Sequence, residues 1–176
     1  MPDKKYSIAV IGGTGALGFG LALRWAKSGH EIVIGSRAQE SADKGAQRLA
    51  ALAPEATVSG LVNDAAAEAA EIVVLTVPFA NQAPMLEAIK AGCQGKIMVD
   101  VTVPLMPPKV RTVHLPEHGS AGKGAQIFLG NGVRVVSAFQ NVAADHLTEL
   151  DHDIDCDILV CGNDADAREC LSLIHI

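Results

Sequence analysis

Ile8-Ala9-Val10-Ile11-Gly12-Gly13-Thr14-Gly15-Ala16-Leu17-Gly18 is an apolar strand that runs straight into a glycine-rich turn and then a helix. Gly13, Gly15 and Gly18 stand in the order G-x-G-x-x-G, the fingerprint of a dinucleotide-binding strand–turn–helix unit. Each glycine has a physical reason: Gly13 permits the tight turn, Gly15 the approach of backbone to a pyrophosphate, and Gly18 the close packing of helix on strand. The helix that begins at Ala16 and Leu17 aims its unpaired N–H groups and positive dipole end at the phosphates. Alone the motif is weak. Here a strand precedes it, a helix follows it, and a second strand arrives on schedule at 31–34.

Outward from this unit, strands and helices alternate. The pattern predicts strands over 7–11, 31–34, 57–61, 72–77, 97–101, 133–138 and 157–161. Helices are expected over 16–28, with Gly29 as its C′ residue, over 39–53, stopped by Pro54, and over 81–91, closed by Gly92. A further helix through Ala70 is expected to be capped by Asn63 or Asp64, one to start near Ser120, and a last one to be capped by Asn163 or Asp164. Such alternation makes an α/β fold with a doubly wound parallel sheet.

The 176 residues suffice for one domain with a real core. Apolar residues make up 49% and aromatics only 3%, so Ala, Val, Ile and Leu must build that core. This suits parallel strands covered on both faces. A net charge of −6 with no basic stripe argues against nucleic acid as a partner. No apolar run is long enough to span a membrane. The segment Met1 to Tyr6 leads directly into the first strand, so no signal peptide and a cytoplasmic location are expected. Cys93, Cys156, Cys161 and Cys170 lack zinc-type spacing; free buried thiols are favoured over two bridges. The strongly apolar end, Leu171-Ser172-Leu173-Ile174-His175-Ile176, suggests one nucleotide-binding domain over 1–176 that lacks a short C-terminal segment.

The residues after the second strand select the nucleotide. NAD-binding versions of the motif place an acidic residue there to accept the ribose 2′-OH. This chain reads Gly35-Ser36-Arg37, with no carboxylate to repel a 2′-phosphate. Ser36 can donate a hydrogen bond, Arg37 offers charge and a donor fork, and Thr14 supplies another hydroxyl. The pattern points to NADP over NAD. The competing reading is that Arg37 merely opens a solvated helix.

With these blocks in view, the chain resembles the F420H2:NADP oxidoreductases, NADPH-dependent reductases of the 5-deazaflavin coenzyme F420. The resemblance runs over nearly the whole chain. It rests on the glycine turn with Gly20-Leu21-Ala22-Leu23-Arg24, and on Gly29-His30-Glu31-Ile32-Val33-Ile34-Gly35-Ser36-Arg37. Shorter blocks follow in order: Val74-Leu75-Thr76-Val77-Pro78-Phe79, Val135-Val136-Ser137-Ala138-Phe139 and Val160-Cys161-Gly162-Asn163-Asp164. The resemblance implies hydride transfer between nicotinamide C4 and deazaflavin C5. It also implies that Thr14, Ser36 and Arg37 hold the 2′-phosphate, and that Val77, Pro78 and Phe79 line the nicotinamide and phosphate edge. The segment containing Ala138, Gln140 and Asn141 would lie under the deazaflavin, in a cleft between the fourth and sixth strands. Archaeal members are expected to carry His and Pro where this chain has Gln140 and Ala143. A C-terminal segment and a homodimer are implied by the resemblance alone.

A deazaflavin and a nicotinamide carry hydride chemistry themselves, so no catalytic residue is required. The chain agrees: it has a single tyrosine, Tyr6, and no Tyr-x-x-x-Lys pair. His114, His118 and His146 are the only obvious proton donors, and Pro116 argues against His114 and His118 sharing a metal-binding helix face. Asp151-His152-Asp153 with Asp155 and Asp157 reads as a solvated turn. Asp100, at the end of the fifth strand, either touches cofactor or substrate or caps its own loop, with capping favoured. Gly119, Gly122 and Gly124 with Lys123 do not meet the phosphate-loop pattern. Lys109, Arg111 and Lys123 either hold the acidic tail of a deazaflavin or serve surface solubility. Two rival functions remain open: reduction of another acceptor by NADPH (an imine, a flavin or a metal chelate), and a non-catalytic NADP-sensing module.

Overall fold

Ile8 and Val10 of β1 (Ser7–Ile11) point into one apolar cluster, Ala9 and Ile11 into another, because successive strand residues face opposite sides. Two such faces need two layers of helices. The first is covered by α1 (Ala16–Lys27), α2 (Gln39–Leu52) and α6 (Ala165–Ser172), the second by α3 (Asn63–Ala69), α4 (Gln82–Ile89) and α5 (Ala121–Leu129). The computed structural model describes residues 4–105, 112–151 and 154–174. Lys109, Arg111, His152 and Asp153 lie outside the described residues.

The remaining strands are β2 (Glu31–Ser36), β3 (Val58–Val62), β4 (Ile72–Leu75), β5 (Ile97–Asp100), β6 (Arg134–Ser137) and β7 (Cys161–Gly162). They form a seven-stranded sheet in the order β3-β2-β1-β4-β5-β6-β7. All neighbours are parallel except β6 and β7. The order reverses between β1 and β4, and at such a switch point a crevice opens beyond the carboxyl ends of the strands.

The last strand departs from the expected 157–161 in extent and runs antiparallel to its neighbour. Only Cys161–Gly162 pairs, antiparallel to β6. Between β6 and β7 the described chain holds a 3-10 turn, Ala144–Thr148, and no crossover helix, so it re-enters the sheet running the other way. The alternation that suggested a longer strand is present: Ile154, Ile158 and Val160 pack against the core, while Asp155, Asp157 and Leu159 are exposed.

Of the expected caps, that of α6 forms and that of α3 does not; Ser120, expected only near the start of a helix, caps α5. Ser120 accepts the Lys123 N–H at 3.1 Å, and Asp164 accepts the Ala167 N–H at 2.7 Å. Neither Asn63 nor Asp64 caps α3; the cap position is Val62. Asn63 is instead buried, and its Oδ1 has no hydrogen-bond partner. Of the four cysteines only Cys93 is both free and buried; Cys161 is exposed and the other two half-exposed. Among the described residues no helix is long and apolar enough to cross a membrane.

His30 supplies a pH-dependent tie between β1 and β2. It is buried, and its Nδ1 accepts the Tyr6 N–H at 3.2 Å. Burial, and then the charge of Lys5, hold its pKa below the usual 6.5. The unfolded histidine takes up a proton near pH 6.5 while the folded one resists. Its contribution is therefore present above that value and lost as the pH falls from there through the lower folded pKa. We expect the melting temperature to drop over this interval and His30→Gln to flatten the drop. An equally steep drop in the variant would show that His30 is not its source.

Candidate functional site

The cofactor-binding candidates lie at or beyond the carboxyl ends of β1, β2, β4 and β6, which share one edge because these strands are parallel. The turn after β1 is drawn tight by its own backbone. Gly13 N–H donates to Val10 O and Gly35 O at 3.0 Å each, and Gly15 N–H to Gly12 O at 3.0 Å. The left-handed residue of the turn is Gly12, at φ 77°, where a side chain is strained. Gly13, given the turn role in the sequence, is instead limited by space: an added Cβ would stand 2.7 Å from Val10 O.

The first intrahelical bond of α1 runs from Phe19 N–H to Gly15 O at 2.8 Å. The N–H groups of Ala16, Leu17 and Gly18 therefore precede the helical ladder and project from its end. A Cβ on Gly15 would meet only Gly12 O, at 3.4 Å, and otherwise open space. A Cβ on Gly18 would collide with Thr76 Oγ1 and lie 3.0 Å from both Gly12 O and Gly13 Cα. Thr76 Oγ1 itself donates to Ile11 O at 2.9 Å, tying the end of β4 to that of β1. We expect Gly18→Ala to cost about 1–3 kcal/mol of stability, as overpacking does. Urea denaturation checks this; an unchanged midpoint would show that α1 does not need the close approach.

On the β2 side, Ser36 is buried and Arg37 exposed. The Arg37 guanidinium has no hydrogen-bond partner among the described residues. Thr14 leans toward the same rim: a Cβ on Gly45 of α2 would lie 3.1 Å from Thr14 Cγ2. The nearest carboxylate in sequence, Glu40, is engaged by Lys44 at 2.6 Å. The rim thus offers two hydroxyls and a free cation, with no acid at 35–38.

On the β4 side, Val77 and Phe79 are half-buried and Pro78 exposed, just before a 3-10 turn, Phe79–Asn81. An apolar cavity of about 260 Å³ opens beside it between Phe79, Leu86, His118 and Phe128. A larger cavity of about 600 Å³, between Lys4, Glu71, Lys96 and Arg134, lies at the opposite edge of the sheet.

Beyond β6 the chain turns sharply. Phe139 takes φ 68°, a costly conformation for an aromatic residue, and its ring meets Trp25 of α1 edge-on at 5.7 Å. Gln140 and Asn141 are exposed, whereas the Ala138 side chain is fully buried and presents only backbone to the crevice. Asn141 Nδ2 donates to Asp157 O at 2.8 Å and to Cys156 Sγ at 3.1 Å, which fixes the turn against the 154–160 segment. The cleft expected between the fourth and sixth strands has β5 in its middle. From β2 to β6 is four strand steps, roughly 19 Å at about 4.8 Å each, enough for an extended dinucleotide to lie across the edge.

Asp100 ends β5 at that midpoint and is completely buried. Its Oδ1 accepts the Thr102 N–H at 3.0 Å, the loop-capping role favoured for it. Its Oδ2 accepts Gln82 Nε2 at 2.7 Å. Burial raises its pKa, against the opposing pull of the Thr102 and Gln82 hydrogen bonds. Gln82 had no part in the sequence reading. A signal existed: with Leu86 and Ile89 it occupies the i, i+4, i+7 positions of the buried face of α4, where a lone amide demands partners. His114, His118 and His146 are exposed and lie on loops or the second 3-10 turn. Lys123 is exposed on the first turn of α5.

The profile of the family described as NADP oxidoreductase, coenzyme F420-dependent, matches residues 7–104. The chain is 41% identical over 168 residues to an F420-dependent NADP reductase of Methanothermobacter thermautotrophicus, covering 92% of this chain and 72% of that protein. It is 41% identical over 169 residues to the Methanocaldococcus jannaschii enzyme of the same name, covering 92% and 75%. Among solved structures, an Arthrobacter sp. FB24 protein described as a candidate F420-dependent NADP-reductase superposes with a TM-score of 0.76 at 28% identity, covering 96% of this chain and 79% of that one. A Plasmodium falciparum pyrroline carboxylate reductase, at 13% identity and TM-score 0.61, shares the fold. The chain belongs to the family of coenzyme F420-dependent NADP oxidoreductases.

Proposed function

We propose that the protein transfers a hydride between NADP(H) and coenzyme F420. The observation that carries this reading is the 41% identity to F420-dependent NADP reductases over 92% of the chain. The nucleotide side is supported independently by the free Arg37 beside Ser36 and Thr14, with no carboxylate at the end of β2. In this reading Gly13, Gly15 and Gly18 shape the pyrophosphate turn, and the N–H groups of Ala16 and Leu17 meet its charge. Thr14, Ser36 and Arg37 take the 2′-phosphate. Val77, Pro78 and Phe79 flank the nicotinamide, and Gln140, Asn141 and the backbone of Ala138 flank the acceptor.

Bound NADP(H) and F420 supply the hydride chemistry themselves, at nicotinamide C4 and deazaflavin C5. The chain's part would be to bring the two rings together and exclude water from between them. No side chain needs to act as acid, base or nucleophile. The family resemblance also supports a homodimer. Oxidation of NADPH with F420 as acceptor, followed at the deazaflavin absorbance band, tests the proposal. Turnover with NADPH and little with NADH is expected; NADPH binding without turnover would discard the acceptor.

A further inference from the structure

Between the nicotinamide-side turn and the acceptor-side turn lies one buried polar cluster, and its parts come from four elements. Gln82 is the first residue of α4, immediately after the Phe79–Asn81 turn. Its Nε2 donates to Asp100 Oδ2 at 2.7 Å, to Thr102 Oγ1 at 3.0 Å and, more weakly, to Ala121 O at 3.4 Å. The Ala121 carbonyl accepts only, as does Asp100 Oδ2 when ionised, so the amide nitrogen faces them. On the far side, the main-chain carbonyl of Asp100 accepts Gln140 Nε2 at 2.9 Å and Ala138 N–H at 3.3 Å. Gln82, Asp100 and Thr102 are all buried. A buried cluster bonded on both sides of Asp100 favours one arrangement of the turns it joins.

We propose that Gln82 and Asp100 are positioning residues for hydride transfer: as a hydrogen-bonded pair they fix the separation between the turn bearing Pro78 and Phe79 and the turn bearing Gln140. This rests on the functional reading above, in which those turns hold the two rings. Neither side chain touches a reacting atom. They act by setting a distance, and a misplacement of about 1 Å can slow such a reaction on the order of 10²-fold.

The pairing has a direction, which makes it testable. In Asp100→Asn, with Gln82 Nε2 held toward the Ala121 carbonyl, the new amide meets a donor whichever way it is turned, either Thr102 N–H or Gln82 Nε2. Gln82→Glu alone sets a carboxylate against Asp100 and the Ala121 carbonyl. Together, Asp100→Asn and Gln82→Glu reverse donor and acceptor and restore the bond between the two side chains, while the introduced carboxylate still faces the Ala121 carbonyl. Gln82→Met keeps shape and removes the bond outright, and it leaves the main-chain contacts of Asp100 in place.

The measurement is single-turnover reduction of F420 by NADPH at saturating concentrations of both, beside NADPH affinity by fluorescence and the melting temperature. Gln82→Met and Asp100→Asn are expected to slow transfer on the order of 10²-fold with NADPH affinity unchanged. The double variant is expected to transfer faster than either single variant, and to fall short of the unmutated rate because its carboxylate still faces the Ala121 carbonyl. Single variants that transfer at the unmutated rate would overturn the proposal. So would a loss of rate that merely follows lost NADPH affinity and melting temperature, or a double variant no faster than its parents. If the aspartate variants fail to fold, Gln82→Met decides alone on the same criteria. No reduction of F420 by the unmutated protein would instead overturn the functional reading on which the pair depends.

Discussion

Arg37→Ala is expected to weaken NADPH binding by about 1.5–3 kcal/mol, the scale of hydrogen bonds to a charged group, and to leave NADH almost untouched. The guanidinium is exposed and has no protein partner among the described residues, so its removal frees no buried group and loosens no part of the fold. The whole effect therefore falls on whatever the guanidinium holds. A 2′-phosphate exists on NADPH and not on NADH, which makes the ratio of the two affinities the informative quantity. Because the site is solvent-exposed, the difference shrinks as salt rises. Ser36 and Thr14 remain in the variant, so preference for NADPH falls rather than vanishes. Equal losses for both nucleotides, by fluorescence titration, would detach Arg37 from the 2′-phosphate.

Gly15→Ala is expected to weaken both nucleotides, by roughly 1–3 kcal/mol, the scale on which an added methyl disturbs a packed contact. Here the protein has room for the new methyl: only Gly12 O lies near, at 3.4 Å. On the proposed reading, that open space is kept for a pyrophosphate approaching the backbone. The variant should fold and melt like the unmutated protein while losing affinity. Gly18→Ala should do the reverse, because its methyl meets Thr76 and the turn itself. Two alanines three residues apart thus separate the space kept for a ligand from the space needed by the fold. A Gly15→Ala protein with full affinity would mean that the nucleotide does not lie over this turn.

Strands β1, β2, β4, β5 and β6 were legible because each carries an apolar run, and the helices because their breakers stand where chains break: Gly29, Pro54, and the caps Ser120 and Asp164. What sequence periodicity could not show was connection geometry. The alternation at 154–160 is a true strand pattern, yet pairing needs a partner edge, and only Cys161–Gly162 reaches β6. Asn63 suits a cap, but burial against β2 claimed its side chain: a Cβ on Gly35 would stand 2.9 Å from its Oδ1. At the site, the glycine turn and Arg37 could be read locally, since a turn and its helix are continuous in sequence. The Gln82–Asp100–Gln140 linkage could not, because it joins residues 18 and 40 positions apart through β5, whose place between β4 and β6 no local pattern specifies.

Direct transfer of hydride between the two coenzymes is the central claim, and isotope labelling tests it most closely. NADPH carrying deuterium at both C4 positions is mixed with F420 and the protein in ordinary water, and the reduced deazaflavin is weighed by mass spectrometry. Direct transfer across the cleft between the Pro78 and Gln140 turns predicts one deuterium retained in reduced F420, with no dilution by solvent. Reduced F420 without label, or NADPH bound and left unoxidised, would contradict it.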